Sequence, residues 1–124
     1  MGILFNQRVF EGPISGTTAV YTPAELNRSL AQADKFFLSV RAAQSSGTSP
    51  TVTVALEHSN DNVNWTNKAT LLSAQALSTS AITHLFASDL GTSNVGGSFM
   101  RLSVQLGGTT PASNLQVTLC GRKV

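Results

Sequence analysis

The chain has 124 residues, room for one ordinary domain with its own hydrophobic core and not for a multidomain enzyme. Hydrophobic residues make up 41% and charged residues only 11%, and uncharged polar groups fill the difference, with 29 Ser and Thr, 10 Gly and 8 Asn. Eight Lys and Arg against six Asp and Glu give a formal charge of +2; that excludes a nucleic-acid binder working by wholesale phosphate neutralisation, and the apolar content excludes intrinsic disorder.

The segment Met1 to Arg8 has no basic stretch ahead of an apolar one, so it does not read as a secretory signal, and no apolar run in the chain approaches membrane-spanning length. Residues 1–34 read as an extended amino-terminal arm, distinct from a domain over 35–124. Ile3, Leu4, Phe5, Val9 and Phe10 place apolar side chains on a stretch with no evident partner strand. Such a stretch packs either on its own domain or on a neighbouring molecule, which makes these five the candidate contact residues. After the breakers Gly12-Pro13 and Ser15-Gly16-Thr17-Thr18, a short strand is expected over Thr18 to Tyr21. Thr22-Pro23-Ala24-Glu25 predicts a short helix ending near Ala33, with Thr22 as its cap, Pro23 at the first helical position and Glu25 closing a capping box.

From residue 35 onward the apolar pattern has a period of two, the signature of strands buried on one face. Phe36, Leu38 and Val40 alternate with Phe37, Ser39 and Arg41. Val52, Val54 and Leu56 alternate with Thr51, Thr53, Ala55 and Glu57, and Met100, Leu102, Val104 and Leu106 alternate with Arg101, Ser103 and Gln105. Val63 to Leu72, Ala81 to Phe86 and Leu115 to Cys120 are further candidate strands. They are separated by the turn-forming clusters Ser59 to Asn62, Ser73 to Ser80 and Gly91 to Ser98. Many short strands with turns between them predict an all-β fold, an antiparallel, jelly-roll-like β-sandwich with at most one short helix. A weak repeat runs through it. Gly47-Thr48-Ser49-Pro50 and Gly108-Thr109-Thr110-Pro111 each stand between two candidate strands, and each reads as the loop of a hairpin.

Groups able to do chemistry are few. His58 closes a strand, His84 sits between Ile82 and Phe86, and the six acids are scattered, so neither a nucleophile with its base nor a glycosidase carboxylate pair is indicated. The lone Cys120 cannot form an intramolecular disulfide and reads as a small apolar strand residue. Ser59-Asn60-Asp61-Asn62 holds one carboxylate in a hairpin-length turn, short of a calcium loop. No metal, cofactor or catalytic residue is assigned, and the chain is expected not to be an enzyme. Trp65 has two readings: on an exposed sheet it would stack on sugars, and buried it would plug the core. Its position after a turn, on a face with Ala69 and Leu71, favours the core.

The residues Ala33-Asp34-Lys35-Phe36, Gly47-Thr48-Ser49-Pro50, Val52-Thr53-Val54, Glu57-His58-Ser59, Asp61, Asn64-Trp65-Thr66, Met100-Arg101-Leu102 and Gly107-Gly108-Thr109 form a pattern. Over about residues 33 to 120 it resembles small β-sandwich proteins encoded among the head genes of tailed bacteriophages. Asn62 stands where that family favours Gly, and Asn also tolerates a left-handed backbone. The resemblance implies a virion component made in the host cytoplasm, a decoration or cement protein on the capsid surface that contacts the major capsid protein. Head-completion or tail roles are alternatives within the virion. It also implies a homo-oligomer, a trimer at capsid symmetry axes being a common arrangement, with neither nucleic acid nor membrane as partner. A carbohydrate-binding module is the competing function.

Overall fold

The computed structural model describes residues 2–33, 35–89 and 97–123. Seven antiparallel strands carry the fold: β1 (Gly2–Ser15), β2 (Val20–Tyr21), β3 (Lys35–Ala42), β4 (Ser46–Ser59), β5 (Thr66–Ala76), β6 (Thr83–Asp89) and β7 (Phe99–Lys123). The long β7 organises both layers. Its first half pairs with β4 and β2, giving a first sheet β5-β4-β7-β2, and its second half pairs with β1 and β3, giving a second sheet β1-β7-β3-β6. The all-β sandwich is therefore as expected, and the alternation in the sequence explains it. Leu38, Val40, Val52, Val54, Leu56, Leu102, Val104, Leu106, Leu115, Val117 and Leu119 are all at most 1% exposed and meet between the layers. Burying each such side chain contributes about 1.5–3 kcal/mol.

The amino-terminal segment is extended, as the sequence suggests, and it has a partner. β1 lies along the second half of β7 from Gly2↔Lys123 to Ser15↔Ala112, as the edge strand of the second sheet. Two register shifts, at Ile3/Phe5 and Arg8/Phe10, let it follow the curvature. The Phe5 ring lies over Gly121, where any Cβ would collide with it, and rests against the Phe36 ring.

Two expectations are corrected. The Gly-Thr-x-Pro motifs are not hairpin loops: both lie inside long strands and pair with each other, Thr48 opposite Thr109 and Ser46 opposite Ala112. Each marks the corner where β4 or β7 leaves one layer for the other. The local geometry is nearly two-fold, with φ of 103° at Gly47 and 104° at Gly108, and 51° at Ser49 and 46° at Thr110. A Cβ on Gly47 would stand 2.7 Å from the carbonyl oxygens of Thr109 and Thr110, and one on Gly108 would stand 2.7 Å from those of Thr48 and Ser49. Pro50 and Pro111 offer their carbonyls outward, to the Leu77 and Gly16 amides. Glycine is thus required twice, both for its left-handed backbone and for the close crossing.

The second correction concerns the helix. A 3-10 turn over Ala24–Leu26 runs into a single α-turn, α1 (Asn27–Leu30), with no side-chain cap. Thr22 instead joins the sheet, its amide donating to the Leu102 carbonyl and its hydroxyl accepting from the Leu102 amide. The tertiary ladder outcompetes the local cap, and Leu30 is fully buried in the core. Elsewhere β5 runs on to Ala76, through part of the expected Ser73 to Ser80 breaker, with Ala74 at positive φ. The Gly91 to Ser98 breaker lies largely outside the described residues.

Candidate functional site

With the inner faces spent on the core, function falls to the two outer faces. On the first sheet, Glu57 of β4 stands opposite Arg101 of β7, and Ser103 lies between Ala55 and Tyr21. The Arg101 Nε donates to the Glu57 carboxylate at 2.7 Å, with both side chains about one-fifth exposed. Its guanidinium lies between two rings, 3.7 Å from the Tyr21 centroid and 4.3 Å from that of Trp65. A planar, weakly hydrated guanidinium suits such a stack, whose cation–π attraction adds to the ion pair. Trp65 is therefore not a core plug. It is half-buried on the outer face, because the chain leaves the turn there and β4 and β5 pair through several register shifts. The cluster presents ring edges, a carboxylate and a guanidinium together, and the gap between its rings is filled by Arg101.

The turn that delivers Trp65 is built from side chains. Ser59 Oγ accepts the amides of Asp61 and Asn62, while Asp61 Oδ1 accepts the amides of Val63 and Asn64 and the Ser59 hydroxyl. The Asn64 side-chain amide donates to the other carboxylate oxygen. The Asn64 and Val63 amides, followed by the Asn64 and Ser59 side chains, hold the Asp61 carboxyl well below the usual carboxylate range. Asn62 takes the left-handed conformation expected of it, φ 62°. This is a rigid turn with its carboxylate committed to the backbone, in agreement with the structural reading of the motif. His58 is committed likewise, its Nδ1 accepting the Gly97 amide at 3.0 Å. Among the described residues, no three His, Cys, Asp or Glu come together as metal ligands would.

The second sheet's outer face is different in kind. Phe37 of β3 and Phe86 of β6 stack with centroids 6.1 Å apart and planes 21° from parallel, yet remain 48% and 64% exposed. They line a hollow of about 370 Å³ with Ile3, Thr118, Cys120 and Arg122. Of the five candidate contact residues, Ile3 is 56% exposed and borders this hollow, while Val9 is buried and Phe5 and Phe10 pack against the core. The Leu4 side chain lies outside the described residues. The sequence had already set Phe37 on the face opposite Phe36, Leu38 and Val40. The missed signal was Phe86, a second large apolar residue on the outward register of its strand.

No family model matches the sequence, and no curated protein matches it either. Solved structures are similar in fold. One is the CBM22-1 xylan-binding domain of Xyn10C from Paenibacillus barcinonensis, with a TM-score of 0.63 at 13% identity, covering 99% of this chain and 96% of that one. A chain in the structure of the infectious bursal disease virus Gt strain gives 0.65 at 7% identity, with 94% of this chain matching 30% of that one. The PBSX exported protein XepA gives 0.58 at 13% identity, with all of this chain matching 39% of that one. At such identities the likeness establishes a shared β-sandwich fold.

Proposed function

We propose that this protein is a non-catalytic structural component of a virion, a small sandwich that attaches to the capsid surface through noncovalent contacts with the major capsid protein. The observation that carries the reading is the stacked, solvent-facing Phe37–Phe86 pair beside Ile3 in the hollow of the second sheet. Large apolar side chains left exposed in a hollow with a polar surround mark a surface that meets another protein. The fold likeness to a chain of a viral structure and to XepA supports it. Many weak copies of one contact on a shell add through multivalency. Quantitative mass spectrometry of particles purified from the encoding genome tests this. Copy number comparable with the major capsid protein is expected. A few copies per particle would move the protein to a head-completion or tail position, and absence from particles would overturn the proposal.

A second reading rests on the Trp65–Arg101–Tyr21 cluster beside Glu57 and on the likeness to a xylan-binding domain over nearly the whole of both chains. On this reading the first sheet's outer face holds a polysaccharide. Titration of xylan and a glycan panel against Trp65 fluorescence separates the two. The virion proposal expects unchanged emission, because Arg101 already occupies the space between the rings.

A further inference from the structure

The second sheet's outer face also carries several of the protein's basic residues. The cross-strand register sets Arg122 beside Lys35 and Ile3, Arg8 beside Thr118, and Arg41 between Gln116 and His84. Glu11, a carboxylate on the same face, is already held by Arg8 at 2.9 Å and by the Gln116 side-chain amide at 3.0 Å. Arg41 and Arg122 are both exposed.

We infer that this face docks an acidic segment of a partner protein, seating one of its apolar side chains on the Phe37–Phe86 stack and its carboxylates on Arg122 and Arg41. This deepens the proposed function by giving the chemistry of the partner and rests on the same hollow. An apolar anchor in a desolvated centre with charges at its rim is how a compact interface is built, the anchor giving affinity and the rim giving steering. A second copy of this chain fits poorly, since pairing the face with itself would bring its cations together. A nucleic acid fits poorly as well. Arg41 and Arg122 would neutralise few phosphates, and the two phenyl rings already face each other rather than standing open for bases.

The test uses the full chain and a fluorescein-labelled peptide of alternating Asp and Leu residues, followed by anisotropy at low and at physiological salt. Binding is expected, weakening as salt rises, and the matching Lys–Leu peptide should not bind. Phe37→Ser and the pair Arg41→Glu with Arg122→Glu should each raise Kd about tenfold or more with an unchanged melting temperature. All these side chains are exposed, so folding is not at stake. Equal binding by the variants overturns the inference, as does tighter binding of a labelled oligo(dT), or a concentration-dependent dimer in sedimentation that Phe37→Ser abolishes. Incorporation of the same variants into particles keeps the two proposals apart. Wild-type protein found in particles, with the variants incorporated equally, would leave the virion role standing and refute this face as its contact. Absence of the wild type would refute the virion role while the peptide titration still judges the face.

Discussion

The two outer faces of the sandwich have opposite fates. On the first sheet the large side chains are partnered within the molecule, with Arg101 gripped by Glu57 and capped on both sides by Tyr21 and Trp65. On the second, Phe37 and Phe86 stack on each other and stay exposed, and Arg41 and Arg122 reach into solvent. The lesson is that an aromatic residue on a sheet surface is informative only once its neighbours are known. The lone Trp, read from the sequence as a core plug with a sugar platform as the alternative, is engaged in holding a sheet, whereas two less conspicuous Phe residues form the open surface.

Substitutions should separate the faces by what they damage. The largest effect belongs to the corner that both sheets share: Gly108→Ala forces a side chain onto a φ of 104° and against the Thr48 and Ser49 carbonyls, and should lower unfolding free energy in urea by about 3 kcal/mol. Arg101→Ala comes next. It strands Glu57 and opens the Tyr21–Trp65 stack, so a loss of about 2 kcal/mol and a shift in Trp65 emission are expected. The Asp61 turn that delivers Trp65 adds a pH signature of its own. A carboxyl held below its ordinary value of 3.8 contributes stability that is complete above that pH and is lost as pH falls below it, so Asp61→Asn should lower stability at neutral pH and converge with the wild type in acid, flattening the acid side of the stability profile. Smallest of all, Phe37→Ser and Phe86→Ser should change stability by less than about 0.5 kcal/mol. A loss from Phe86→Ser as large as that from Arg101→Ala would erase the distinction between a self-satisfied face and an open one.

Much of this was legible in the chain itself. Period-two alternation fixes which residues of β3, β4 and β7 face inward, since a strand buried on one side leaves no other choice of face for Leu38, Val54 or Leu102. Long-range pairing was not legible. The partner of β1 is more than a hundred residues away, so its apolar residues looked unpartnered, and the Gly-Thr-x-Pro repeat looked like two local turns because composition cannot reveal that the copies pair with each other. Trp65 was misplaced for a related reason. The shifts at Val54/Ala55 and Leu56/Glu57 break the count that would carry a face assignment from β4 into β5. The hollow was half visible: Phe37 was assigned outward, but its companion on β6 becomes its neighbour only through the pairing Ser39↔Phe86.

The pairing of Gly2 with Lys123 also constrains how the molecule comes into being. During synthesis β1 leaves the ribosome long before it can find its ladder, because its hydrogen-bonding partners do not exist until residue 123 has emerged. β3, which relies on the same part of β7, must wait with it. The second layer therefore closes late and all together, and until it does a nascent chain exposes apolar strand edges that a chaperone or a neighbouring nascent copy can capture.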